Sequence, residues 1–372
     1  MQLPDFKLER YFARYEFEVP YLLSSSDCES FSVRELLQLH ESANKQLQDL
    51  WLGYTESNGH PALREAISTL YTNTLPDQIL VHAGAEEAIF NFMHIALQPG
   101  DHAIVHWPGY QSLHQIAAAL GCDLTFWPAQ EANGWALNLD FLESAIRKST
   151  RAIIINCPHN PTGYLMSQAE FRHVIALARA HDIYLFSDEV YRFLEYDSSD
   201  RLPAACDLYE KAVSLGVMSK AFGLAGLRIG WIATHDTALM DRLRAFKDYT
   251  TICNSAPSEL LATIALGNKE AILSRNAAII RQNLSQLTAF FEKYHEQFDW
   301  QKPKAGCIAF PTLLPPQDSE KFCHDVVTRS GVLLLPSTMY DCGNRHFRIG
   351  FGRKNMPAAL RAFEQFLNNK TT

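Results

Sequence analysis

The chain has no CxxC pair, no excess of basic residues, no long apolar run and no GxGxxG stretch. Its eight cysteines are scattered at positions 28, 122, 157, 206, 253, 307, 323 and 342. That spacing gives no local zinc site and reads instead as reduced, mostly buried thiols of a cytosolic protein. His82, His106, His159 and the other histidines show no metal-ligand spacing, so no metal is expected. Lys and Arg number 33 against 41 Asp and Glu, a formal net charge of −8 at pH 7. This balance offers no footprint for nucleic acid or an anionic membrane, which leaves small molecules and a second copy of the chain as expected partners. No segment approaches about 18 uninterrupted apolar residues, and "MQLPDFKLERYFARYEF" lacks the apolar core of a signal peptide; a cytoplasmic location is expected.

With 372 residues, 47% of them hydrophobic and 20% charged, the chain is long enough for one large domain and a smaller one. Helical patterns alternate with short apolar runs from about residue 60. "HPALREAISTLY" is helical, "QILVHAG" extended, "AEEAIFNFMHIAL" helical and "DHAIVHW" extended. The alternation continues through "RAIIIN", "IYLFSD", "AVSLGVMS" and "RIGWIAT". Near-continuous apolar strands between helices predict an α/β fold with a mostly parallel sheet covered on both faces. Past Thr234 helices dominate, followed by short strands at "CIAFP", "VLLLP" and "HFRIGFG" among two more helices, an α+β ending. We therefore expect a large domain over 46–275 and a small α+β domain built from 1–45 and 276–372.

Ligands of open parallel sheets bind beyond the carboxyl ends of the strands, and several polar residues fall there. "ILVHAGAEEA" turns from strand to helix at Gly84 and Ala85, leaving free N–H groups and a positive dipole end that suit a phosphate. "NCPHNPTG" follows a buried run, and by itself Asn160–Gly163 is an ordinary turn. In "LFSDEVY", Asp188 ends an apolar strand and needs either a cationic partner or a capping role. "GVMSKAFGLAGLRIGW" sets Lys220 and Arg228 in a segment of interior character. Lys220 there is a structural ion pair, a phosphate ligand or a Schiff-base amine; Arg228 must meet an anion. Its glycines follow GxxGxxxG, against a dinucleotide site. Together these parts call for a planar ring bearing a phosphate, a protonatable nitrogen and an aldehyde, the features of pyridoxal 5′-phosphate.

"YTESNGHPALREAIS", "AGAEEAI", "PGY", "NPTG", "SDEVY", "SKAFGLAGLRIGW" and "FRIGFG" occur in an order that resembles the fold-type I, class I/II aminotransferases of the aspartate aminotransferase superfamily, over nearly the whole chain. The resemblance implies a large domain with a seven-stranded-type sheet and a smaller domain. It implies Lys220 as the Schiff-base lysine and proton shuttle, and Asp188 as partner of the pyridinium nitrogen. Asn160 and Tyr191 would hold the ring's phenolic oxygen, and Tyr110 would stack on the ring. The backbone of Gly84, Ala85 and Glu86, with Ser219 and Arg228, would bind the phosphate. Tyr54 would reach the phosphate of a neighbouring subunit, implying a homodimer with shared sites, and Arg348 would grip the substrate carboxylate. The activity implied is a ping-pong exchange of an amino group between an L-amino acid and a 2-oxo acid.

Two departures stand out. Val217 occupies a position where the family commonly has a hydroxyl that binds phosphate. The run "LSSSDCES" stands where many relatives carry L-x-x-G-E-P, so the pocket mouth is expected to differ. The N-terminal stretch "LERYFARYEF…LLSSSDCESFSVREL" bears a loose likeness to PLP enzymes of nonribosomal-peptide pathways such as capreomycidine synthase. That likeness carries the alternative of a PLP-dependent lyase or cyclase acting on a modified amino acid.

Overall fold

Eight strands make the central sheet of the structure, a computed structural model that describes residues 2–369. Strand β1 (Tyr21–Leu22) lies outside it. Strands β2 (Ile79–His82), β3 (His102–Trp107), β4 (Asp123–Gln130), β5 (Ala136–Leu137), β6 (Thr150–Asn156), β7 (Tyr184–Asp188), β8 (Ala212–Val217) and β9 (Gly230–Thr234) take the order β2-β9-β8-β7-β6-β3-β4-β5. Neighbours from β8 through β4 pair in parallel, whereas β9 is antiparallel to both of its neighbours and β5 to β4. The sheet is thus of the expected mostly parallel kind. Its eighth member, β5, is a two-residue edge too short to register as a separate apolar run.

Alternation along the strands explains why both faces are covered. Ile154 and Phe186 join one buried cluster with Phe92 and Leu215, while Ile153, Ile155 and Leu185 join another with Phe171 and Val174. Helix Ala85–Ala96 serves the first face and helix Gln168–Ala180 the second. Ser167 and Glu170 start the latter with reciprocal side-chain-to-backbone bonds. Among the described residues no helix is long and apolar enough to cross a membrane.

After the 25-residue helix Lys269–Lys293 the chain forms β10 (Phe298–Asp299), β11 (Ile308–Ala309), β12 (Thr312–Leu313), β13 (Val332–Leu333), β14 (Leu335–Pro336) and β15 (Phe347–Gly350). Phe290, Phe298, Phe322, Phe347 and Phe363 pack ring to ring behind β15, which lies between β11 and β14. The N-terminal segment returns to this region: β1 pairs in parallel with β13, and Tyr11 Oη donates to the Leu334 carbonyl at 3.0 Å. Tyr11 belongs to helix Lys7–Tyr15, an element the apolar alternation does not reveal.

Residues Leu23 to Glu29 then lie flat against β15 and the turn after it. Gly350 N–H donates to the Leu23 carbonyl and Glu29 N–H to the Gly352 carbonyl, each at 2.8 Å. A Cβ on Gly350 would fall 2.0 Å from the Ser25 carbonyl oxygen, and one on Gly352 would fall 2.2 Å from that of Asp27. Two backbones in direct contact leave no room for a methyl. Gly350→Ala is expected to destabilise the protein by at least about 2 kcal/mol through overpacking. Gly267→Ala, where a Cβ meets nothing within 4 Å, should leave stability unchanged or slightly raised. Urea midpoints of the two variants check this, and equal midpoints would refute the contact.

Candidate active site

The carboxyl ends of β6, β7 and β8 open into a cavity of about 500 Å³. Ala85, Glu86, Tyr110, Asn160, Asp188, Tyr191, Ser219, Lys220, Arg228 and Arg348 all line it, so residues from six separate sequence motifs converge on one space. Gly84 stands just behind Ala85, as cap of the helix that begins there. Tyr54 does not line this cavity and is 87% exposed on the surface.

Asp188 ends β7 and is buried. Burial pushes its carboxyl up to about 7, against the Val190 N–H at 3.2 Å and the nearby Lys220 ammonium, both of which favour the anion. Its backbone is tied to the neighbouring strand by Asn156, whose Nδ2 donates to the Asp188 carbonyl at 3.0 Å. The same side chain accepts from the Asn160 N–H at 2.7 Å. Asn156, which the motifs did not single out, therefore sets Asp188 and Asn160 relative to each other.

Lys220 Nζ donates to Ser26 Oγ at 2.9 Å, its ammonium 5.8 Å from the centroid of the Tyr191 ring. Burial pulls the lysine below its ordinary range; Asp27 opposes that and Arg348 adds to it. Tyr191 is 1% exposed, and burial raises its phenol well above the ordinary range, opposed by Arg348 and by the nearby Ser26; among the described residues its hydroxyl meets no partner of hydrogen-bonding geometry.

At the opposite end, Gly84 adopts φ +90° as β2 turns into helix Ala85–Ala96. A Cβ there would lie 2.5 Å from Arg228 Nη2, so glycine is required by conformation and by the close guanidinium alike. Arg228 does not sit in the interior, as its segment had implied. It is exposed at the cavity rim, hydrogen-bonded to the Ala225 carbonyl at 3.3 Å. The first N–H groups of the helix, the buried Ser219 hydroxyl and this guanidinium form a seat for an anion. Val217 contributes a methyl-bearing wall where a hydroxyl was missed. The Glu86 side chain turns to the Ser112 hydroxyl, and burial raises its carboxyl above the usual range.

Arg348, on β15, is 1% exposed. Its Nε and Nη2 donate to the Ser24 carbonyl at 3.1 and 2.8 Å, and Nη1 donates to Tyr340 Oη at 2.6 Å and to Asn160 Oδ1 at 3.2 Å. Tyr340 Oη donates in turn to Asn160 Oδ1 at 2.8 Å. Every one of these acceptors is uncharged. Tyr340 and Ser24 were not legible as site residues, since they join Asn160 and Arg348 only through the fold. The N-terminal segment also lines the cavity, with Phe6, Leu8, Glu9, Phe12 and Glu16, as do Ser25, Ser26 and Asp27 from the unusual run; Asp27 is clamped by Arg353 through bonds of 3.0 and 2.7 Å. Tyr110 lies half-buried at 5.2 Å from the Phe6 ring, its hydroxyl 3.4 Å from Glu9.

The donor set fits pyridoxal 5′-phosphate. It has an anion seat, a buried carboxyl to face a ring nitrogen, an unpartnered buried phenol, and an amine of lowered basicity within one cavity. The family model for class I and II aminotransferases matches residues 21–363. Capreomycidine synthase of Streptomyces vinaceus is 27% identical over 98% of this chain and 94% of its own. A PLP-dependent aminotransferase of known structure from Streptococcus suis superposes with a TM-score of 0.94 at 32% identity, over 99% of each chain. The PLP-dependent cyclase OrfR superposes with a TM-score of 0.90 at 28% identity, over 100% of this chain and 98% of its own. The chain belongs to the class I and II aminotransferases, and its cofactor is pyridoxal 5′-phosphate.

Proposed function

We propose that the protein is an aminotransferase that moves an amino group between an L-amino acid and a 2-oxo acid by a ping-pong mechanism, with Lys220 as the Schiff-base lysine. The observation that carries this reading is Arg348, a buried guanidinium whose hydrogen bonds end only on neutral acceptors beside the Lys220 amine. A buried cation without a counter-charge is costly, and an incoming carboxylate supplies one, which amino acid and 2-oxo acid share.

Bound here, pyridoxal phosphate supplies an aldehyde for the amino group and a ring that draws electrons from the substrate Cα. Asp188 would hold the proton on the ring nitrogen. Asn160, its Oδ1 fixed by Tyr340 and Arg348, would offer its amino group to the phenolic oxygen, with Tyr191 as the second donor. Tyr110 would cover the ring face, while Ser219, Arg228 and the N–H groups from Gly84 to Glu86 would hold the phosphate. Lys220, its basicity lowered by burial, would take the proton from the substrate Cα and hold it at Nζ for return to carbon. Tyr54 would complete a neighbouring site in a homodimer; the exposed Trp51, Leu52, Tyr249 and Ile252 support such a surface.

A lyase or cyclase acting on a modified amino acid is the second reading. It is favoured by the unusual mouth formed by Ser25, Ser26 and Asp27, and by the relatives that bear the names capreomycidine synthase and cyclase. Both readings share every role above except the fate of the substrate after the Cα proton has left. Incubating the purified protein with pyridoxal phosphate and a panel of L-amino acids separates them. Accumulation of pyridoxamine 5′-phosphate with release of the 2-oxo acid supports transamination; consumption of the amino acid without it moves the assignment to elimination or cyclisation.

Lys220→Ala should lose at least about a thousandfold in turnover while the protein still folds, and retained turnover would overturn its role. Arg348→Lys replaces a fork by a point charge and should raise KM for the amino acid about 10- to 100-fold. Normal KM would place the carboxylate elsewhere. In the cofactor-free protein Asp188, at about 7 when folded, favours its protonated form. Its contribution to stability is present below about pH 4 and is lost as pH rises through about 7. Urea midpoints measured between about pH 5 and 8 should therefore fall less steeply for Asp188→Asn than for the wild-type apoprotein.

A further inference from the structure

The Lys220 amine meets a hydroxyl that no motif marked. Ser26 Oγ accepts from Nζ at 2.9 Å inside the cavity. The two partners stand on supports of very different stiffness. Lysine carries its amine on a flexible four-carbon stem. Ser26 has a short side chain on a backbone held from both sides. Ser25 and Asp27 rest directly on Gly350 and Gly352, Leu23 is bonded to Gly350, and Asp27 is clamped by two bonds to Arg353.

The chemical nature of the acceptor matters as much as its position. A carboxylate at 2.9 Å from Nζ would hold the lysine as an ammonium, useless for removing a proton from Cα. A hydroxyl accepts a hydrogen bond from the amine without adding charge. Ser26 also lies beside the buried hydroxyl of Tyr191, another residue of the same cavity wall, so Ser26, Tyr191 and the amine occupy one corner of the site. In that corner the freed amine has a neutral partner within reach and a fixed direction.

We propose that Ser26 is the positioning residue for Lys220, holding the freed amine beside the substrate Cα while the proton moves. The inference rests on the reading of Lys220 as the proton-moving lysine and goes beyond it by naming what aims that lysine. Ser26 gains or loses no proton in the cycle: the proton leaves Cα for Lys220 Nζ and returns from Nζ to carbon, with the Ser26 hydroxyl accepting a hydrogen bond from nitrogen throughout.

The test uses the pyridoxal phosphate-loaded full chain, with L-alanine, L-glutamate and L-arginine deuterated at Cα as probes. Wild type, Ser26→Ala, Ser26→Thr and Lys220→Ala are compared by loss of the Cα label to water and by KM. Whichever probe wild type exchanges best, Ser26→Ala is expected to exchange roughly 10- to 100-fold more slowly, with KM changed less than about threefold, because a misaimed base slows the step and leaves binding intact. Ser26→Thr, which keeps the hydroxyl, should recover most of the rate. The cofactor's visible absorbance should titrate with a shifted pH midpoint in Ser26→Ala and a near-native one in Ser26→Thr. Wild-type exchange in Ser26→Ala overturns the proposal, as does a slow Ser26→Ala whose defect Ser26→Thr does not relieve or whose KM rises in step. If Lys220→Ala exchanges the label as fast as wild type, the role of Lys220 itself fails, a result distinct from any defect confined to Ser26.

Discussion

A guanidinium buried without a carboxylate is the constraint around which the site is organised. Arg348 is held by one backbone carbonyl and two neutral side chains, which fix its direction, and among the described residues it makes no ion pair. Each of those partners is in turn fixed. Ser24 lies on the segment that crosses β15, Asn160 is anchored by Asn156 at the end of β6, and Tyr340 closes the triangle. The cost of burying the charge is offset in part by these hydrogen bonds, and a ligand carboxylate entering the cavity finds the guanidinium already oriented.

The opposite end of the cavity follows different physics. There the positive potential is spread over backbone N–H groups, one hydroxyl and an exposed arginine, suited to an anion that stays bound through many turnovers. On the proposed reading these two groups of donors would hold a resident anion and a transient one in the cavity that Lys220 also lines. Lys220 itself is governed by burial and by the charges around it, of which Asp27 and Arg348 pull in opposite directions. Amine basicity, carboxylate recognition and the shape of the mouth are thus coupled through a few residues of the N-terminal run.

How much of this was legible in the sequence depends on distance along the chain. Strand ends carrying Asp188 and Lys220, and turns such as the one carrying Asn160, leave local signatures, and the structure brings these into one cavity. The alternation of apolar runs and helical patterns likewise outlined the sheet, apart from the two-residue β5. What local patterns did not disclose is contact between remote segments. Tyr340 meets Asn160 across 180 positions, and Arg348 meets Ser24 across 324. Nothing in the composition of "LSSSDCES" distinguishes a linker from the wall of a site. Arg228 shows the converse error: apolar neighbours in sequence imply burial, yet its left-handed backbone at φ 52° turns the side chain out to the rim.

The close crossing of the Leu23–Glu29 segment over Gly350 and Gly352 bears on the order of assembly during synthesis. The central sheet ends at Thr234 and can pair as the ribosome delivers it, beginning with β3 and β4, while the edge strand β2 waits for β9, its partner in the sheet. This part of the site cannot form in that order, since the Leu23–Glu29 segment must wait for the much later strand β15 before it has a surface to lie on. Closing so long a loop carries a modest entropic cost that grows only logarithmically with length, but it makes this contact among the last to form. The nascent chain therefore carries an open cleft, into which pyridoxal phosphate can diffuse, until the C-terminal strand emerges and the N-terminal segment settles over it.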